Sequence, residues 1–365
     1  MIKFRFIYLV IILLGLTTIF SCMNNSGKAS MSKPIAISKS NDVVVIADKS
    51  IIKSEIGDTF KYFFESAFPI TPNPEPLFHT RYFTYREIDA QPLRRQLRSY
   101  IILVNLQDTA SKVTKLFYKD LGKSRVQKIL DNDGYNVIYT RDKWARDQLI
   151  IYIAGKNADD LINAIRNNFS IITDKIHLHD EPQIKSATYF QGVNGIMGVR
   201  AKEVLGINIK IPKDYIQALF KDDEKLLWGR RDTKKAISNI IVKTLEYKDT
   251  SQFTKKYIIN LINNFGKYVS SDTEKSKLVV NDKDLPVLSF SRTINENTAI
   301  ELRGIWEMTD DFMGGPFIAY LVKNKNSNDL AFILGFVFAP GKDKKEYLQQ
   351  LMIIANTLQF EKHTK

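Results

Sequence analysis

The chain reads as an α+β protein, with an N-terminal α/β-type sandwich followed by a C-terminal antiparallel sheet carrying packed helices. Three observations predict this. Short apolar runs alternate with helical periodicity over roughly the first half of the folded body. Long strand-like segments follow one another between residues 278 and 339. The run Ala331 to Ala339 is apolar on both faces, as expected for a strand at a sheet's centre.

The body begins at Asp42, where Val43 to Ala47 forms an apolar run bounded by Asp42 and Asp48, suiting a buried strand. Ile56, Phe60, Phe63, Phe64 and Ala67 recur at helical spacing over 53–67. Pro69, Pro72, Pro74 and Pro76 then force an extended loop, because proline lacks the amide that a helix or inner strand needs. Strands are expected at Phe78 to Tyr85, Tyr100 to Leu106, Tyr135 to Thr140 and Gln148 to Ala154. Helices are expected at Ile88 to Leu97, which would carry Arg94, Arg95 and Arg98, and near 157–169.

Residues 42–180 are read as the N-terminal domain and 181–206 as a connector, a helix interrupted near Gly192, Gly195 and Gly198. Residues 207–365 form the C-terminal domain. Its expected order is strands at 225–231 and 236–246, a helix at 252–265, and strands near 278–281, 286–294, 298–308, 316–323 and 329–339. A last helix opens at Asp343, which stands at capping-box spacing from Glu346.

Ahead of the body lie a basic head (Lys3, Arg5), an apolar run from Ile7 to Leu16, and Ile19-Phe20-Ser21-Cys22. That order describes a secretory signal over residues 1–21. The segment resembles a bacterial lipobox with Cys22 as the lipidated residue, where Ile19-Phe20 replaces the usual Leu-Ala or Leu-Ser. The alternative, an uncleaved transmembrane anchor, would need about 20 apolar residues, and Phe6 to Phe20 is shorter. Two or more acyl chains would anchor the protein stably. Residues 22–41 are polar and Ser/Lys-rich and read as a flexible tether, spanning roughly 25 Å. The absence of acidic residues just after Cys22 favours an anchor facing the periplasm.

Cleavage before Cys22 lowers the formal charge from +13 to +11. Cys22 is the only cysteine, so its lipidation excludes internal disulfides, thiol catalysis and cysteine-held metals. The basic residues are scattered and read as solvated faces, Lys342, Lys344 and Lys345 at the opening of the last helix among them, and no nucleic-acid recognition motif is present. The partners expected are a membrane, through the lipid on Cys22, and an envelope protein. No cofactor is expected.

The best candidate for a ligand site is the segment Thr309 to Pro316. Asp310 and Asp311 stand beside Gly314 and Gly315, which permit positive φ and close backbone approach, and Arg303 lies on the preceding strand. Adjacent carboxylates could hold a hard cation given more oxygen ligands, or do acid/base work. The competing reading is a hairpin connection, since Gly-Gly-Pro is ordinary turn chemistry. His177-Leu178-His179-Asp180-Glu181 has metal-like composition but lacks a nearby third histidine, so exposed histidines at a helix end are expected. Gly335 to Asp343 has the wrong spacing for a phosphate loop. No Gly-x-Ser-x-Gly elbow occurs.

Several stretches act as a family mark: Leu302-Arg303-Gly304-Ile305-Trp306-Glu307, Asp310 to Phe317, Gly335 to Lys344, and Arg141-Asp142-Lys143-Trp144-Ala145 with Gln148. With the lipobox, they resemble an uncharacterised Bacteroidetes lipoprotein family, domain of unknown function 4837, over about Val43 to Phe360. The resemblance implies no activity and carries no site residues. Ile207 to Phe360 is also similar in element order to the photosystem extrinsic protein and to a small nuclear-transport factor, which concerns fold alone. The function expected is a non-enzymatic, periplasm-facing outer-membrane lipoprotein that binds a partner or ligand in envelope maintenance. The alternative is a periplasmic hydrolase using carboxylates.

Overall fold

Short continuous apolar runs form the inner strands of a first, five-stranded sheet, and these strands are buried on both faces. A computed structural model describes residues 33–131, 136–269 and 276–361, with Asn136 described by its backbone only. The signal, Cys22 and most of the tether lie outside the described residues.

Strand β1 (Asp42–Ile46) is followed by α1 (Lys49–Ile52) and α2 (Glu55–Phe64), then β2 (His79–Phe83), α3 (Tyr85–Ala90) and β3 (Ser99–Asn105). Helices α4 (Lys112–Leu121) and α5 (Lys123–Asp131), strands β4 (Asn136–Arg141) and β5 (Leu149–Gly155), and helix α6 (Ala158–Thr188) complete this part. The sheet order is β2-β1-β3-β5-β4, parallel except for β4 at the edge. Val43, Val45, Ile101, Leu103, Ile151 and Ile153 face α2 and α6. Val44, Ile46, Ile102, Val104, Ile150 and Tyr152 face the opposite way, into a core with Val113, Phe117 and Val126 of α4 and α5.

The second part runs α7 (Gly195–Glu203), β6 (Ile207–Asn208), β7 (Ile216–Lys221), β8 (Leu226–Asp232), β9 (Ile237–Glu246), α8 (Lys255–Phe265), β10 (Leu278–Asn281), β11 (Leu288–Ile294), β12 (Asn297–Met308), β13 (Asp311–Lys323), β14 (Asp329–Phe338), α9 (Lys345–Ala355) and β15 (Gln359–Phe360). Its antiparallel sheet has the order β10-β12-β13-β14-β9-β8-β7, with β11 paired to β12. The run Ala331 to Ala339 therefore supplies the middle strand β14, between β13 and β9.

One face of this sheet packs on α8 through Leu302, Phe317, Leu321, Phe332 and Leu334. The other face, with Ile240, Val242, Ile318, Tyr320 and Ile333, joins Leu348, Leu351 and Ile354 of α9 and the α2/α6 face of the first sheet in one continuous core. The layers are thus helices, sheet, a shared middle layer of α2, α6 and α9, sheet, and α8. Each half buries an apolar face against helices that the other half also uses, so the shared layer is where surfaces from both meet.

Four local expectations are corrected. Helix α6 does not stop near 169. It continues to Thr188 with Pro182 inside it. Arg98 is not on a helix with Arg94 and Arg95. Those two lie on a 3-10 turn at Pro92–Gln96, and Arg98 is buried just before β3. Asp343 does not cap the last helix. The helix starts at Lys345, and Glu75 from the proline-rich loop accepts from the amides of Lys344 (2.7 Å) and Lys345 (2.9 Å). Lys344 and Lys345 are accordingly buried, not solvated.

The Arg141 to Gln148 motif is structural. Gln148, fully buried, accepts from the Trp144 and Ala145 amides and donates to the Arg95 and Leu97 carbonyls. It satisfies backbone groups of two loops at once.

Candidate functional site

Strand β12 places Arg303 on the face that meets the shared helical layer, and this puts it in a cleft between the two halves. The cleft has a volume of about 330 Å³ and is lined by Phe68, residues of α6 (Asp174, His177, Leu178, Glu181, Ile184), Arg303, and residues of α9 (Gln349, Met352, Ile353). A neighbouring groove shares Ile184 and Gln349 and reaches Lys39 and Ser40, where the chain enters the fold from the tether.

Arg303 is fixed from three sides. Its Nε donates to Glu301. Its guanidinium lies 5.3 Å from the Phe290 ring and 5.8 Å from the Phe68 ring. Glu301 is buried and also accepts from Arg292 Nε at 2.8 Å. Two guanidinium groups therefore share one carboxylate. Beside it, burial and the Glu301 charge push the Tyr320 phenol far above its usual range, so it stays a neutral hydroxyl.

The wall behind the cleft is a buried polar network. Asn41 and Gln349 exchange amide hydrogen bonds, each 2.9 Å, tying the start of β1 to α9. The Asn41 amide donates to Asp180 at 2.6 Å, and Arg98 donates to the His179 carbonyl at 2.9 Å and to Asp147. His179 and Asp180 are buried and His177 is half-buried, packed 5.5 Å from Phe78. This corrects the expectation of exposed histidines at a helix end: α6 is long enough to carry them inward.

Burial pushes the Asp180 carboxyl from 3.8 up to about 6, against the pull of the Asn41 amide and Arg98. Burial, then the Arg98 charge, pushes His179 from 6.5 down to about 4. The stability slopes oppose each other. The raised carboxyl contributes stability that is full at low pH and lost as pH rises through about 4 to 6. The depressed histidine contributes stability that is lost as pH falls through about 6.5 to 4. Asp180→Asn should remove the first slope and leave the second. The variant should be roughly 2 kcal/mol more stable than the parent at pH 7 and no more stable near pH 4. Urea unfolding at the two pH values checks this.

The Asp310-Asp311 segment is a different place. Thr309 and Asp310 form the tight connection between β12 and β13, and Asp311 opens β13 opposite Met308. Asp310 is exposed, and its carboxylate accepts from the Thr309 hydroxyl at 2.9 Å. The Asp311 carboxylate accepts from the Phe312 amide at 2.7 Å. Arg303 does not meet them: it lies five residues before Met308 along β12, roughly 17 Å away. Gly314 and Gly315 are within β13, not in a turn. A Cβ on Gly315 would sit 2.0 Å from the Val337 carbonyl oxygen, and one on Gly314 2.9 Å from that of Trp306. They serve close strand approach, and the adjoining Trp306 indole donates to Val337 at 3.3 Å.

Of the residues read as a site, Arg303 alone reaches the cleft. Asp310, Asp311, Gly314 and Gly315 do not line it, and Cys22 is outside the described residues. Among the described residues, no three His, Cys, Asp or Glu side chains converge as metal ligands. Sequence reasoning missed His177, Asp174 and Glu181 as one face of a helix, although their spacing of three, four and seven on α6 is helical.

Residues 197–357 match the model of a domain of unknown function, DUF4837. This stretch of the chain is similar to that family. Residues 36–187 match a second domain of unknown function, DUF8532, so the DUF4837 match covers less than the span of the family resemblance. Arg303, Gln349 and Met352 belong to the DUF4837 segment, and Asp174, His177 and Leu178 to the DUF8532 segment. No curated protein matches the sequence. Among solved structures, the chain is similar to a Mog1 protein carrying a single substitution. That pair is 10% identical, covering 44% of this chain and 93% of that one, with a TM-score of 0.28. The Saccharomyces cerevisiae Ran-binding protein Mog1p is 11% identical, covering 42% and 90%, with a TM-score of 0.28. The lipid transfer and protein localization domain of human StarD13 is 8% identical, covering 39% and 88%, with a TM-score of 0.20.

Proposed function

We propose that this protein is a non-enzymatic, lipid-anchored envelope protein that faces the periplasm and binds a ligand or partner in the cleft between its halves. The observation that carries the reading is the cleft itself. It gathers a fixed cation, a neutral imidazole face and apolar side chains from α6, β12 and α9. A binding role is favoured over a carboxylate hydrolase because Asp310 and Asp311 sit at an exposed hairpin end, far from Arg303. His177 is half-buried beside the cleft, and its Nε2 is itself out of solvent with no hydrogen-bond partner among the described residues, so nothing orients it for proton relay. The anchor rests on the order of residues 1–22 and on Cys22 as the sole cysteine.

Two measurements test the two parts. Metabolic labelling with an alkyne fatty acid should mark the parent protein and not Cys22→Ser, and equal labelling of both would end the lipoprotein reading. A photo-crosslinking residue at Leu178, exposed on the cleft rim, should give a discrete adduct in cells. The same residue at Phe312, exposed on β13 away from the cleft, should not. No adduct at Leu178 beyond that at Phe312 would refute binding in the cleft.

A further inference from the structure

We infer that the cleft takes an amphipathic ligand headed by a carboxylate or phosphate group, and that Arg303 is the residue that receives the head. This rests on the cleft being a binding site and names the ligand class.

Arg303 is held but not neutralised. Glu301 is shared with Arg292, so one buried carboxylate serves two guanidiniums, and the other acids of the cleft, Asp174 and Glu181 on α6, make no ion pair with Arg303 among the described residues. Glu301 engages only Nε of Arg303, and the terminal nitrogens Nη1 and Nη2 have no partner among the described residues. A guanidinium presents those nitrogens as a planar fork matching the two oxygens of a carboxylate or phosphate. The Phe68 and Phe290 rings beside it restrict the plane of the fork. A group oriented in this way loses less freedom when it binds.

The rest of the cleft suits an apolar chain. Phe68, Leu178, Ile184, Met352 and Ile353 line it, and its volume is at the small end for ligand sites, fitting a chain of modest length. Asp174 and Glu181 on α6 disfavour a second anionic group along that wall. The acid therefore belongs at the Arg303 end and the chain along α6 and α9. A lysine would offer a mobile point charge here, whereas the arginine offers a fixed fork.

The test is calorimetric titration of the full chain in nanodiscs, with empty discs as the blank. The probes are octanoate, octyl phosphate, octanol and inorganic phosphate. Octanoate or octyl phosphate should bind saturably at one site, roughly tenfold or more tighter than octanol or inorganic phosphate. Arg303→Met should reduce the acid's affinity to that of octanol, and Arg303→Lys should retain part of the difference. Unchanged melting of either variant shows that the loss is not misfolding. Whichever acid binds more tightly identifies the head as carboxylate or phosphate. Equal binding of octanoate, octyl phosphate and octanol would overturn the proposal while leaving the cleft as an apolar site. Tight binding of inorganic phosphate alone would overturn the amphipathic ligand. No binding of any probe, with the Leu178 adduct intact, would overturn the ligand class and leave the cleft as a protein-binding surface.

Discussion

Leu334→Asp should abolish folding of the C-terminal sheet. Leu334 is fully buried at the middle of β14, opposite Ala319 on β13 and Ile241 on β9. Its side chain faces the core beneath α8, with Leu302, Phe317, Leu321 and Phe332. An aspartate there either carries an unpaired charge or takes up a proton, and it leaves the volume of a leucine unfilled. The expected cost is roughly 5 kcal/mol or more, a large share of what holds a domain together. Because β14 also presents Ala331, Ile333 and Val337 to the shared middle layer, the first half should lose support from α9 as well. Leu334→Met, which conserves volume, should cost about 1 kcal/mol. Circular dichroism and thermal melting of both variants check the placement. A soluble Leu334→Asp protein with the parent's melting curve would contradict it.

The strands around Leu334 were legible because their physical cause is local. A strand covered on both faces needs apolar residues at every position, and Ala331 to Ala339 has them. Helix α2 was legible for the same reason, since Phe60 and Phe64 stack at 4.4 Å one turn apart on its inner face. Other elements carry a weaker local signal. Strand β7 is half exposed at a sheet edge and shows no clean alternation. Helix α5 buries only Val126 and Ile129 among nine residues. Helix α6 runs past the expected end near 169 through a mostly polar stretch and Pro182, where the apolar periodicity is weak. The missing proline amide is tolerated because the rest of α6 is held by packing on α2, α9 and the first sheet.

The cleft was not legible, and the reason is distance along the chain. Phe68, His177, Arg303 and Gln349 come from four separate elements, and their meeting depends on two sheets sharing one helical layer. Arg303 stood out for its place beside the Asp310 loop, but strand geometry carries it away from that loop and toward Glu301 and Arg292. The glycines misled in a related way. Gly314-Gly315-Pro316 has turn composition, yet those residues extend β13 where the backbone passes too close to Trp306 and Val337 for any side chain.

The joint between the halves makes the second large prediction. Glu75 should be worth more to stability than any residue of its own loop. Its two carboxylate oxygens accept from the first amides of α9, donors that the helix itself cannot satisfy. Its charge lies at the positive end of the helix dipole and beside the buried Lys345. Burial pulls the Lys345 ammonium below its usual range while the Glu75 charge opposes that pull, and Lys345 Nζ donates to the Pro76 carbonyl at 2.7 Å. Glu75→Ala therefore strands two amides and removes the opposite charge that acts most strongly on Lys345. The expected loss is roughly 3 kcal/mol, larger than an exposed helix cap because both partners are out of water. Glu75→Gln, which keeps one acceptor but not the charge, should lose less. Because Glu75 belongs to the first half and α9 to the second, hydrogen exchange should quicken on both sides of the joint in Glu75→Ala. Amides of α9 and of the loop at 66–77, where Phe68 and Leu77 bond to Glu75 and Ser66 carbonyls, should respond together. Faster exchange confined to the loop, with α9 and the melting temperature unchanged, would mean that the two halves are held together elsewhere.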